Sequence, residues 1–255
     1  MTRLGWLYLA VAFAFIYLPV IALVLFSFQS GALPVPPFNG PSWRWYGDVL
    51  GDDDVRGALI NSLVVATGAS AVATALGFGA AYGLARHSVP GSVWVRALLI
   101  APLMVSYLIV GLGLLIVLQR LGMGLSLWTA AVGHVVINLP LAFAIIYAAM
   151  GAQQKSAEAA ARDLGAGELQ VVVLVTLPMV LPAVLAAFFL SVTLSWDEFI
   201  IAFLLTRFDV TLPVEIWSML RSGLSPRLNA IGSVVFLVSV AAVLLLEVLV
   251  LRRRT

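Results

Sequence analysis

Asp197 and Glu198 stand side by side in a stretch that is otherwise almost wholly apolar. A carboxylate held at the middle of a bilayer costs about 2.5–3.5 kcal/mol, so two adjacent ones must face water, a partner or each other. At helical spacing Ser191, Ser195 and Glu198 share one face, and Thr193 and Asp197 lie on the neighbouring stripe. Hydroxyls and carboxylates so arranged would form a polar wall that tolerates a cation. The same side chains would equally serve to cap a helix end, or to pair with Arg207 or Arg221.

Nucleophilic chemistry has one candidate. Gly68-Ala-Ser70 and His134 both fall in apolar stretches, as a serine hydrolase working inside a membrane would require. Seating an oxyanion there calls for Gly after the nucleophile, and Ala71 follows Ser70. His134, four residues before Asn138, reads as a hydrogen-bonded packing group and not as a proton carrier. The chain has no cysteine, hence no disulfide framework and no thiolate ligand. Its two histidines, His87 and His134, are too far apart for a local metal motif. A Gly-rich phosphate loop ending in Lys-Ser or Lys-Thr is absent, so ATP hydrolysis is expected on another chain. No catalytic residue, no metal and no cofactor is expected on this one.

These residues need elements to position them. The 255-residue chain is 62% hydrophobic and 10% charged, with mean hydropathy +1.09. Soluble domains carry about 25% charged residues, so the composition describes a polytopic, all-α membrane protein. A net charge of +2, spread along the chain, offers nothing to nucleic acid. Apolar runs at Trp6–Phe28, Ala58–Ala85, Trp94–Leu118, Leu125–Met150, Leu177–Leu205 and Leu228–Leu251 give six transmembrane helices. Each exceeds the ~20 residues that cross a hydrocarbon core. The first run is longer than the ~7–15 residues of a secretory signal core and reads as an uncleaved span. Residues 1–56 thus hold the first span and an outer loop, and 57–255 the remaining transmembrane domain.

Orientation follows from Lys and Arg. With the N-terminus inside, the inner segments hold Arg3, Arg86, Arg96, Lys155, Arg162, Arg252, Arg253 and Arg254, against Arg44, Arg56, Arg120, Arg207, Arg221 and Arg227 outside. The inner ones at 86, 96 and 252–254 sit close to span ends, where the bias counts most. Both termini are then cytoplasmic. The first outer segment, Gln29–Arg56, is rich in Pro, Gly, Trp and Asp, and reads as an irregular loop with a short interfacial helix near Trp43–Leu50. Leu212–Gly223, with Trp217 and Met219, reads as a short outer helix against lipid or a soluble partner. Gly79 and Gly83 form a GxxxG pattern suited to close helix packing within the chain, or less readily to a homodimer seam. Pro102, Pro140 and Pro182 interrupt the third, fourth and fifth runs, and Glu247 would pair with Arg252–Arg254.

The segment 151–176 differs from the rest. Ser156–Leu164 can form two to three helical turns with Ser156 as N-cap, Gly165 is suited to a helix end, and Glu168–Val175 can restart a helix. Helix, Gly turn and helix make a rigid cytoplasmic knob between spans four and five.

Glu158-Ala159-Ala160, then Gly165, nine residues, Val175, and Leu177-Pro178 resemble the coupling-loop motif of permease subunits of bacterial ABC importers. Glu158 lies seven residues before Gly165, one more than in the family's usual motif, whose acid would fall at Ala159. Asn61-Ser62-Leu63, Gly133-His134 through Asn138-Leu-Pro140, Ser195-Trp196-Asp197-Glu198-Phe199, Leu212-Pro213 through Met219 and Ser225-Pro226 through Ala230 are similar to the second permease of the spermidine/putrescine group. The resemblance implies a non-catalytic subunit of the bacterial inner membrane, bathed in lipid. Its partners would be an ATPase dimer carrying ATP and Mg, a second permease (a heterodimer), and a periplasmic substrate-binding protein. Glu158, Ala159, Ala160, Arg162, Asp163, Gly165, Leu177 and Pro178 would couple to the ATPase, and Ser191, Ser195, Asp197 and Glu198 would line the path of a polyamine-like cation. The rival is a secondary transporter needing no ATPase. Such proteins often show repeats and buried charges in several spans, whereas only the fifth run carries an acid pair and no internal repeat is visible.

Overall fold

In lipid, an apolar run satisfies its backbone only as a helix or in a closed barrel, and this chain takes the helical solution. The computed structural model describes residues 3–251, with side chains from 5 to 241; the Glu247 side chain and Arg252–Arg254 lie outside them. In chain order come α1 (Arg3–Ser27), α2 (Arg44–Leu50), α3 (Asp53–Arg86), α4 (Ser92–Ile100), a 3-10 turn (Ala101–Met104), α5 (Tyr107–Arg120), α6 (Leu127–Ala149) and α7 (Ala152–Asp163). Then follow α8 (Glu168–Val171), a π-helical turn (Val172–Thr176), α9 (Leu177–Trp196), α10 (Ile200–Leu205), α11 (Leu212–Ser222) and α12 (Pro226–Leu251).

Among the described residues, four helices are long and apolar enough to cross a bilayer: Gly5–Ser27, Asp53–Arg86, Leu127–Ala149 and Glu168–Trp196. The pair Ser92–Met104 and Tyr107–Arg120 makes a fifth if its 108° bend belongs to one span, and Pro226–Ala241 is apolar but shorter. Two expectations are corrected. Of the three prolines, only Pro102 stands at a break, in the 3-10 turn that is followed by extended backbone at Val105. Pro140 and Pro182 lie inside unbroken α6 and α9. The run Leu177–Leu205 is not one helix either, since it stops at Trp196 and restarts at Ile200.

Two units share the chain: Ala58–Pro213, and the two ends up to Gly57 and from Val214. In the terminal unit α1 packs on α12, and a Cβ added to Gly232 would lie 3.1 Å from Leu23 Cδ1. The loop 28–43 is less irregular than its composition predicts. Gln29 is buried; its amide donates to the carbonyls of Val35 (3.2 Å) and Pro37 (3.0 Å) and accepts from Asn39 N (2.8 Å). Trp45 Nε1 donates to the Gln29 carbonyl at 2.7 Å. The Asp52 carboxylate caps α3 by accepting from the backbone N–H groups of Asp54 (2.8 Å) and Val55 (3.1 Å), and it also pairs with Arg227. Asp53 and Asp54 in the first turn and Arg86 in the last complement the helix dipole.

In the central unit, Ala81, Ala142, Phe143, Ile146 and Ala187 form one core, with Phe78, Leu84, Leu99, Met150 and Val184 around it. Leu118, Ala130, Ile137, Ile201 and Leu205 form another. Close approach of α3 to α6 is made at Gly77, where an added Cβ would meet Phe143 N at 2.8 Å and Ala142 Cβ at 3.0 Å. Gly79 and Gly83 meet nothing within 4 Å, so the GxxxG pair is not the packing seam of this chain. Asn61 Nδ2 donates to Val210 O (3.0 Å) and Ser62 Oγ accepts from Leu212 N (2.8 Å), fastening the segment that leads into α11.

Candidate functional site

The knob begins at α7, four residues earlier than the sequence suggests. Gly151 is its N-cap, and Ser156 lies inside it with Oγ donating to Ala152 O at 3.2 Å. Its end has local causes. Gly165 takes φ +88°, Gly165 N donates to Arg162 O (2.9 Å) and Ala166 N donates to Ala161 O (3.0 Å). That is the Schellman arrangement, which glycine enters without steric cost. After the turn, Gln170 Oε1 accepts from Gly167 N at 2.9 Å and starts α8. The π-helical turn then runs directly into α9, with Leu177 and Pro178 in the first turn of that helix.

Glu158 does not lie on the outside of this knob. Its side chain has 0% exposure. Arg86 at the end of α3 grips the carboxylate bidentately, Nε to Oε2 at 2.5 Å and Nη2 to Oε1 at 3.1 Å. Thr176 Oγ1 donates to Oε1 at 2.8 Å. A second set lies one turn away. Arg162 donates to both oxygens of Glu168 at 3.0 Å, and the Tyr82 hydroxyl donates to Glu168 Oε1. The hydrogen bonds that Arg162 donates to Glu168 raise the Arg162 pKa above its ordinary value. With the acid turned inward, the exposed surface includes Ala159, Ala160, Asp163 and two bare leucines, Leu164 at 90% and Leu169 at 76%.

The second group of expected site residues separates. Ser191, Ser195 and Glu198 do share a face, but it is buried, while Asp197 is exposed. Ser195 Oγ shares a 2.5 Å hydrogen bond with His134 Nδ1, and Asn138 Nδ2 donates to the His134 carbonyl at 2.9 Å. Glu198 accepts from the backbone N–H groups of Ile200 (2.9 Å), Ile201 (2.8 Å) and Ala202 (3.3 Å), which caps α10. Its Oε2 is also 3.9 Å from His134 Nε2. A hydrolase pairing of Ser70 with His134 is not formed: Ser70 Oγ is buried without a partner among the described residues, and His134 is engaged by Ser195.

Sequence reasoning missed Tyr82 and Arg86 as partners of the knob, and the side-chain roles of Glu168 and Thr176 within it. Arg86 carries a usable signal, since it is a basic residue at a span end on the side where parity also places the acid-bearing loop.

Apolar helices interrupted by one charged helical excursion that is braced against a span describe a polytopic membrane protein. A model of the family "Binding-protein-dependent transport system inner membrane component" matches residues 73–255, and the chain belongs to that family. It is 36% identical to the putrescine transport system permease protein PotI of Escherichia coli, over 89% of this chain and 83% of that one. It is 29% identical to the spermidine/putrescine transport system permease protein PotC of Haemophilus influenzae, over 95% and 94%. Among solved structures, a bacterial ABC transporter involved in import of the acidic polysaccharide alginate superposes with a TM-score of 0.72 at 16% identity, over 100% of this chain and 99% of that one. That likeness concerns the fold alone. The chain is a permease subunit, a membrane component of a transport system and not an enzyme.

Proposed function

We propose that this chain forms half of the translocation path of an ATP-driven importer for a small polar cation of the polyamine type. It would cross the membrane six times with both termini cytoplasmic. A separate ATPase dimer carrying ATP and Mg would receive the 156–178 loop, a second permease would complete the path, and a periplasmic binding protein would deliver solute. Transmembrane helices would fill 57–255, with lipid or the second permease against α1, whose apolar window holds no residue buried within this chain.

One observation carries the reading: α7 is locked from inside by a buried carboxylate while its outer surface, with Ala159, Ala160, Asp163 and Leu164, is left open. A rigid helix with exposed leucine at its tip suits insertion into a cleft on a soluble partner. For the solute, support comes from the names of PotI and PotC and from Asp197, the exposed member of the acid pair. The fold does not fix solute charge, since an alginate importer shares it.

Reconstitution in liposomes tests this. Uptake of labelled putrescine is expected only with ATPase, second permease and binding protein all present. Asp197→Asn should lower uptake about fivefold, the worth of ~1 kcal/mol for a partly solvated charge contact. Uptake by the permeases without the ATPase would instead support a secondary transporter.

A further inference from the structure

Two polar clamps hold α7, and both reach back to the same helix. The inner clamp is Arg86, Glu158 and Thr176; the outer is Tyr82, Glu168 and Arg162. Tyr82 and Arg86 are one turn apart on α3, and Glu158 and Arg162 are one turn apart on α7. Thr176 and Glu168 bracket the stretch of α8 and the π-helical turn. Covalently, α7 continues only into α6 and α9. Through its side chains it is fastened to α3 as well.

The depth of the inner clamp bears on its purpose. The Arg86 side chain is 6% exposed and that of Glu158 0%. Burying two charges is costly, and apolar side chains of similar volume often fasten a structure as well or better. What a guanidinium–carboxylate fork adds is direction, because two parallel hydrogen bonds fix the relative orientation of the groups as well as their distance. Thr176 extends the same constraint to the root of α9, for its hydroxyl donates to the oxygen that Arg86 Nη2 also holds. One carboxylate on α7 therefore sets the ends of two spans.

We infer that Arg86 and Glu158 are positioning residues of the transport cycle, making α3 a second lever beside α9 so that displacement of α7 moves both spans. This rests on the coupling reading proposed above. The readout is the number of putrescine molecules taken up per ATP hydrolysed by the complete importer in liposomes. Arg86→Gln and Glu158→Gln should each lower that ratio at least about fivefold, the low end of coupling between sites. The double variant should be no worse than either single one, as expected of residues that act as a pair. A clamp that only stabilises the fold would reduce the amount of assembled importer and leave the ratio within about twofold of wild type, a change too small for site-to-site coupling, and that result overturns the inference.

Where the neutral variants do not assemble, spin labels decide. The natural chain has no cysteine, so Ser88→Cys beyond α3 and Lys155→Cys on α7 can be labelled selectively with the clamp intact. Their separation should change by no more than about 2 Å between nucleotide-free and ATP-bound importer, the scale of small helix shifts. A larger change means that α7 moves independently of α3 and overturns the inference. If wild-type importer shows no ATP-dependent uptake at all, the coupling reading fails instead, and a baseline run without variants tells the two failures apart.

Discussion

Ser195 Oγ and His134 Nδ1 lie 2.5 Å apart in the interior, and this bond ties α9 to α6. Neither residue faces an open path. Ser195 is 4% and His134 1% exposed, and Glu198 beside them spends its carboxylate on the start of α10. Of the two roles that the sequence leaves open for this acid pair, a path wall or a helix cap, Glu198 makes the cap contacts, and its neighbour Asp197 is exposed.

Ser195→Ala would leave a buried imidazole nitrogen without its partner, which costs about 1–3 kcal/mol. The melting temperature of the purified protein in detergent should fall accordingly. Ser195→Ala combined with His134→Leu should recover part of the loss, because removing both members of a buried pair leaves no orphaned polar group. A double variant as unstable as the sum of the singles would refute this account of the pair.

Gly77 makes a sharper packing test. Even an alanine there would press on the Phe143 backbone at 2.8 Å, where no flexible side chain can yield. Gly77→Ala should cost about 1–3 kcal/mol, as overpacked cores do. Gly79→Ala meets nothing within 4 Å and should be neutral or slightly stabilising, since alanine is the better helix former. Thermal unfolding of the two variants side by side checks the contrast.

The same pair of glycines marks the limit of what the sequence discloses. Apolar runs and the turn at Gly165 are local properties, so most helices and the shape of the knob are legible from spacing alone. Which row of small residues meets a neighbour is not local: α3 carries several such rows, and those through Ala66, Ser70 and Thr74 and through Ala73, Gly77 and Ala81 are turned inward while Gly79 is left exposed. The partners of Glu158 were out of reach for the same reason, since Arg86 lies 72 residues before it. The break at Asp197–Phe199 is marked in the sequence by the acid pair, but spacing alone does not separate a helix cap from a polar wall, because the stretches on both sides are apolar.

Acid should loosen the terminal unit around Asp52 and Arg227. The pKa of Asp52 is held below its usual 3.8, first by the backbone N–H of Val55 and also by Arg227. A carboxyl group with a lowered folded pKa contributes stability above its unfolded pKa and loses it as pH falls through the folded value. Melting temperature should therefore drop as pH is taken from about 4 downward, and Asp52→Asn should flatten that part of the curve. Glu215 runs the other way: burial raises its pKa, with help from Asp54 and Asp52, so it weakens the fold as pH rises through 4.5 toward its folded value. Glu215→Gln should remove that opposing slope and leave the acid limb due to Asp52 in place.

Gly165 isolates the shape of the knob from its charges. At φ +88° its backbone is left-handed, and a side chain there would meet nothing within 4 Å. The penalty for substitution is thus purely conformational, about 1–2 kcal/mol for an ordinary L-residue and more for a β-branched one. Asparagine visits this region readily, so Gly165→Asn should keep the turn, whereas Gly165→Val should force α7 and α8 apart. In reconstituted importer, Gly165→Val should lower putrescine uptake per ATP at least about fivefold, the low end of site-to-site coupling, while Gly165→Asn stays near wild type. Both variants retain Glu158, Arg162 and Glu168, so a loss confined to valine would come from backbone geometry and not from altered charge. Full transport by Gly165→Val would mean that the direction of the turn is irrelevant to coupling.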